Sequence, residues 1–235
     1  MTNQTVREIA VANPASVRVF EKYQIDFCCN GKRPLETACQ EAGVSAAALM
    51  NEIEAAARAD ASPGRDWAQA GLAELSHHIV AKHHKYLYDE LPVIAARMDK
   101  VISKHAADKP WLNELGKVYA GLHAELDSHL QKEEAILFPY IQQLEQNRAG
   151  ASCFGSISNP IRMMLLEHDN AGAALARMRT LSNGYQTPED GCPTFRALMH
   201  ELAGLEADLH QHIHLENNIL FPRAIALEEF RTAAQ

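Results

Sequence analysis

The sequence is short of everything that builds sheets, disulfide scaffolds, membrane spans or nucleic-acid surfaces. Strand signals are almost absent, so an all-β or α/β fold has no pattern to grow from. The 5 cysteines are an odd number without a disulfide-like framework, which fits a reducing compartment. No apolar run approaches the roughly 20 residues of a membrane span. The opening MTNQTVREIA lacks the basic and apolar regions of a secretory signal, so the expected location is the cytoplasm. Lys and Arg number 22 against 30 acidic residues, giving a formal charge of -8 and a pI near 5.8. No basic stripe gathers those cations, which excludes phosphate backbones as partners.

What is present is an ordinary globular composition, 47% hydrophobic and 22% charged, patterned as helices. Up to about Ala61 the helices are short and broken by Pro and Gly. Asn13 with Pro14 reads as a helix start, Pro34 opens another helix and Ser45 caps an Ala-rich one. Between the second and third lies a loop, Ile25 to Pro34, carrying adjacent Cys28 and Cys29. The breaker-rich Ala61 to Arg65 stretch then sets the expected division: a small helical domain over 1–62 and a larger one over 66–235. Four long helix patterns follow, from about Leu72 to Lys104 with Pro92 inside, from after Pro110 to about Asn147, from Ser158 to near Asn183, and from after Pro193 to about Phe230. Short connections make an all-α, up-down-up-down four-helix bundle.

The bundle carries an internal repeat. Leu122 to Pro139, LHAELDSHLQKEEAILFP, returns at Leu205 to Pro222 as LEADLHQHIHLENNILFP, an offset of 83 with nine of eighteen positions identical. Leu122, Leu126, His129, Glu133, Ile136 and Leu137 step along one helix face, and Leu205, Leu209, His212, Glu216, Ile219 and Leu220 repeat the steps. A His and a Glu on an apolar face must be paired or metal-bound, because burying them alone costs several kcal/mol. The repeat also locates partners on the first and third long helices: His84 and His168 lie 84 apart, each with an apolar residue one turn before it. His84, His129, Glu133, His168, His212 and Glu216 thus offer four imidazoles and two carboxylates. That set suits two metals, both Glu bridging and two His on each, with room for an oxo or hydroxo bridge; iron is favoured, and manganese and zinc satisfy the same donors.

Glu125 and Asp208 sit one turn before the repeated His residues and Glu167 flanks His168, so each is a candidate to orient an imidazole, or else part of a solvated acidic face. His78, His83, His105, His123, His210 and His214 are expected to face solvent. Cys28 and Cys29, just before a helix start and beside Lys32 and Arg33, are candidates for a lowered thiol pKa and for redox chemistry or iron capture, against simple burial. Cys39, Cys153 and Cys192 fall in no pattern.

Taken together, the DFCCNGK loop, His84, the segment from His105 to Pro110, H-x-x-x-E-E-x-I-L-F-P from His129, EHD at Glu167 to Asp169 and HIHLENNILFPRA from His212 resemble the di-iron iron–sulfur cluster repair proteins (repair of iron centres). The resemblance runs along essentially the whole chain. It implies a hemerythrin-like bundle whose six ligands are those above, and a cysteine-pair module in front of it. It implies repair of clusters damaged by nitric oxide or oxidants, by supply of iron, with damaged iron–sulfur proteins as partners. Two other readings compete: an enzyme reducing nitric oxide or a peroxide, and a sensor of O2 or NO. A homodimer is compatible with all three.

Overall fold

The computed structural model describes residues 4–59, 65–150 and 152–233; Ala61 to Gly64, where the sequence places the domain boundary, fall outside them. Among the described residues there is no strand, only an isolated bridge between Thr5 and Pro34. The N-terminal unit has four helices among the described residues. α1 (Val6–Ala12) opens on a capping box in which the Glu8 amide donates to the Thr5 hydroxyl and the Thr5 amide donates to the Glu8 carboxylate. α2 (Ser16–Lys22) starts two residues later than Pro14, because Asn13 accepts from the Ala15 amide and holds Pro14 in a turn. α3 (Leu35–Glu41) follows Pro34, and α4 (Ala46–Ala59) is capped by Ser45 through the Ala48 amide.

The bundle has four long rods. Rod 1 is α5 (Leu72–Ile79), a π turn at Val80–His84 and α6 (Lys85–His105). Rod 2 is α7 (Trp111–Lys132), a π turn at Glu133–Leu137 and α8 (Phe138–Glu145). Rod 3 is α9 (Ser158–Leu181), uninterrupted. Rod 4 is α10 (Pro193–His214), a π turn at Leu215–Leu220 and α11 (Phe221–Ala233). The π turns of rods 2 and 4 have a local cause in the repeated LFP: Pro139 and Pro222 lack an amide hydrogen and crowd the carbonyl a turn back, and a widened turn relieves both.

The repeat also organises the ends. The amides of Leu72 and Ala73 at the start of rod 1 donate to Glu145 at the end of rod 2, at 2.6 and 2.9 Å. The Ile157 amide before rod 3 donates to both oxygens of Glu228 on rod 4, at 3.0 Å. Glu145 and Glu228 stand 83 apart, the same offset as the ligand candidates, so each half caps its first rod from its second.

Two apolar clusters divide the bundle lengthwise. One, built from residues such as Leu75, Ile79, Phe138, Ile161 and Phe221, fills the end at which rods 1 and 3 begin. The other, with Leu87, Leu91, Leu126, Leu209 and Tyr119, fills the remainder and continues into the N-terminal unit through Phe20, Phe27 and Cys28. The six polar candidates lie between the clusters. The N-terminal unit docks on the π turn of rod 4: the Asn218 side-chain amide donates to the Phe27 carbonyl at 2.8 Å, Asn217 to the Cys28 carbonyl at 3.3 Å, and Arg7 to the Asn218 carbonyl at 3.2 Å.

Candidate metal centre

Each ring and carboxylate of the set is placed by a rod. His84 closes the π turn of rod 1, His129 and Glu133 stand one turn apart on rod 2 with Glu133 opening its π turn, His168 is mid-rod 3, and His212 and Glu216 repeat the arrangement on rod 4. All six are at most 3% exposed. Their donor atoms fall into two overlapping groups, each with all atoms within 4.8 Å of one another: His84, Glu133, His212 and Glu216, and His129, Glu133, His168 and Glu216. Both carboxylates belong to both groups.

The imidazoles therefore group across rods 1 and 4 and across rods 2 and 3, not within each half of the repeat. The face of rod 1 that carries His84 turns to rod 4: the His84 and His212 rings are 5.0 Å apart, and those of His129 and His168 are 4.8 Å apart.

Three imidazoles are held from behind at Nδ1, which leaves Nε2 pointing inward. His84 Nδ1 meets Glu134 at 2.8 Å, His129 Nδ1 meets Glu167 at 2.9 Å, and His168 Nδ1 meets Asn217 at 2.7 Å. Each acceptor fixes the tautomer with the proton on Nδ1 and the lone pair on Nε2. The phenylalanines of the two LFP segments back the rings, Phe138 under His84 at 5.6 Å and Phe221 under His168 at 6.0 Å.

Inside the ring of donors His212 Nε2 meets Glu216 at 3.0 Å and the Nε2 atoms of His129 and His168 meet at 3.1 Å, and four further atoms are unsatisfied. His84 Nε2, both oxygens of Glu133 and Glu216 Oε2 have no hydrogen-bond partner, although His84, Glu133 and Glu216 are fully buried. Four such atoms aimed at one place would each cost about 1–3 kcal/mol in a dry core, so the donor set fits metal ions. Nitrogen and carboxylate donors with no sulfur among them suit iron, manganese or zinc.

Charge draws the same residues together, with a proton that His129 has to lose before its Nε2 can ligate. Burial works to raise the Glu216 pKa, yet His212 and His168 hold it well below the usual carboxylate range. Burial works to lower His129, yet Glu133, Glu216 and Glu167 hold it up, at about 9. Burial prevails at His212 and pushes it down, so its lone pair is free to ligate.

Similarity to known proteins agrees in turn. Residues 75–224 match the model of the hemerythrin HHE cation binding domain, and residues 2–57 match a domain of unknown function, DUF542. The iron–sulfur cluster repair protein YtfE of Edwardsiella ictaluri is 39% identical over 220 residues, covering 93% of this chain and 95% of that one. Its namesake in Cronobacter sakazakii is 38% identical over 228 residues, covering 97% and 98%. The chain belongs to the YtfE family of iron–sulfur cluster repair proteins.

In this YtfE-family chain the other expected residues part company. Glu167 does orient an imidazole, that of His129, and is also paired with Lys132. Asp208 turns away from His212 and meets His83 Nδ1 at 2.9 Å. Glu125 is exposed and lines a small cavity without bonding to any of the four rings. Glu134 and Asn217, which the sequence reading passed over, are the residues directly after Glu133 and Glu216, and the 83-residue offset relates them too. The signal was available: whatever follows the carboxylate in one half should serve the same ring in the other.

Two histidines expected in solvent are buried. His83 is fully buried and stacks on His212 with centroids 5.6 Å apart, and His214 is 6% exposed, its Nδ1 accepting from Asn218 at 2.8 Å. Their faces are covered by the rod 1–rod 4 contact and by the docked N-terminal unit, neither of which one helix's periodicity registers.

Cys28 and Cys29 are free thiols with sulfurs 3.7 Å apart. Cys29 is 3.6 Å from the backbone carbonyl of His168, and the Asn217 that holds His168 also grips the Cys28 carbonyl. The expectation of a lowered thiol pKa fails at Cys28. Its hydrogen bond with Cys29, its burial and nearby Asp26 all push it well up, because the loop folds its sulfur inward. The pair walls a cleft of about 660 Å³ between the N-terminal unit and rods 3 and 4, with Asp26, Asp169, Glu206 and His210.

Proposed function

We propose that the chain repairs iron–sulfur clusters damaged by nitrosative or oxidative stress, acting in the cytoplasm and supplying iron to them. The iron comes from a centre of two ions in which His84 and His212 serve one, His129 and His168 the other, and Glu133 and Glu216 bridge them. The observation that carries this is the sharing of both carboxylates by two donor groups whose inward atoms have no other partner. Iron here is cargo. Glu134, Glu167 and Asn217 keep the imidazoles aimed and in the ligating tautomer, while the apolar clusters on either side keep bulk water out.

The division of the chain at 62–66 gives the donor a second part. Cys28 and Cys29, behind His168 and open to the cleft, stand where iron or reducing equivalents pass between the bundle and a client protein. Clients are iron–sulfur proteins that have lost iron.

A second reading, reduction of nitric oxide or a peroxide at the same centre, draws on one observation. A mainly apolar cavity of about 10 Å³, room for roughly one water-sized molecule, touches His129, His168 and His212 between Leu122, Leu126, Leu209 and Ile213. It suits a small uncharged ligand.

Metal analysis comes first, with two irons per chain expected; fewer than one would remove the basis of both readings. The reduced, loaded chain is then mixed with an apo cluster protein and a cysteine desulfurase, and separately with nitric oxide. Iron loss matched by cluster recovery is the expected result. Iron retained with many N2O formed per chain would replace donation by catalysis.

A further inference from the structure

At the opposite end of the bundle from the centre, the last residue of α6, His105, meets Cys192 at the N-cap of α10: Nε2 and Sγ are 3.3 Å apart. The distance along α10 from Cys192 to His212 is about 30 Å by the helical rise, so this pair is no part of the metal site. Tertiary packing holds it together. The His105 ring rests on Phe195 at 5.3 Å, and Phe195 is also covered by Trp111 at 6.0 Å. Charged groups nearby are the Lys109–Asp190 ion pair at 2.5 Å and Arg196, which donates to the Gly191 carbonyl at 3.2 Å.

A thiol against an imidazole, at the start of a 22-residue helix whose dipole favours an anion there, is the arrangement of a nucleophilic sulfur. The His105 contact first, then the Phe195 and Thr194 amides, lower the Cys192 thiol to about 7. Cys192 is half-buried and reachable, whereas Cys28 and Cys39 are buried. No other cysteine stands on any of the four rods, and all five cysteines are free thiols.

We propose that Cys192 and His105 form a thiol-modification site that reacts with low-molecular-weight disulfides to give a mixed disulfide. The Cys192 sulfur attacks one sulfur of RS–SR, a new S–S bond forms to Cys192 as the RS–SR bond breaks, and the leaving RS⁻ takes the proton that His105 accepted from the thiol. Cys192 is oxidised and the departing sulfur is reduced, so the exchange needs no further reagent.

The test uses the full, iron-loaded chain. Iodoacetamide labelling is mapped by peptide mass spectrometry across a pH series, with exposed Cys153 as the internal comparison. At pH 7 about half of Cys192 is thiolate against roughly 3% of an ordinary thiol, and the lower intrinsic nucleophilicity of a low-pKa sulfur returns about fivefold of that gain. Cys192 is therefore expected to label about threefold faster than an ordinary free thiol under the same conditions, with a rate profile centred near 7. His105→Asn is expected to move that profile up by a unit or more while iron content and melting temperature stay unchanged. Oxidised glutathione is expected to leave a glutathione adduct at Cys192 in the parent chain and far less in H105N. A Cys192 profile in the unmodified chain that coincides with that of Cys153 would overturn the proposal without reference to any variant. So would a folded H105N whose profile matches the parent's, or the absence of a glutathione adduct at Cys192.

Discussion

Glu134 gives the sharpest test of how the centre is built. It is the acceptor behind His84, and the other imidazole of that group, His212, has no partner at Nδ1, so Glu134 is the one support from behind in the His84–His212 pair. The opposite pair has two supports, Glu167 behind His129 and Asn217 behind His168. Loss of a group that orients a ligating imidazole costs 10–100-fold in metal affinity, or about 1.4–2.8 kcal/mol at 1.4 kcal/mol per decade. Glu134→Gln retains an acceptor oxygen, as Asn217 already provides for His168, and removes only the charge; about tenfold is expected. Glu134→Ala removes both and should approach a hundredfold. The assay is a chelator competition on the reduced, iron-loaded chain, read as two dissociation phases by optical spectroscopy and metal analysis. One iron should leave early and the second should hold close to its parent affinity. Equal weakening of both ions, or no change in E134A, would refute the assignment of His84 and His212 to a common ion.

Glu133→Ala and Glu216→Ala should each abolish binding of both irons, because each carboxylate belongs to both donor groups; a variant keeping one tightly bound iron would show that the carboxylate does not bridge. Metal uptake by the metal-free chain should strengthen with pH by up to a decade per unit until about pH 9 and then level off, since His129, held at about 9, must give up its proton to ligate. Proton release on titration with ferrous iron measures this, and uptake independent of pH between 7 and 9 would contradict it. Asn218→Ala leaves the Phe27 carbonyl and His214 Nδ1 unpaired at the docking face, a loss of about 1–3 kcal/mol. Hydrogen exchange should speed up in α1 and α2 while rod 3 stays protected, and unchanged protection in α1 and α2 would mean that the N-terminal unit is held by other contacts.

The bundle and the six inward residues were legible in the sequence because both are written as periodicity. Apolar residues stepping by three and four define a buried helix face wherever the chain goes, and a duplication stamps the same polar exceptions, His129 with Glu133 and His212 with Glu216, on two faces at one offset. That information is one-dimensional. It fixes which side of a helix is buried but is silent on which rod that side meets. Tertiary structure alone decided that His84 faces His212 and that His83 and His214 are covered. It also turned Cys28 inward, where burial and its neighbours raise its pKa, and set Cys192 against His105 across 87 residues of chain. Each of these depends on the packing of separate elements, where burial and electrostatics are set by distance in space and not by distance along the chain.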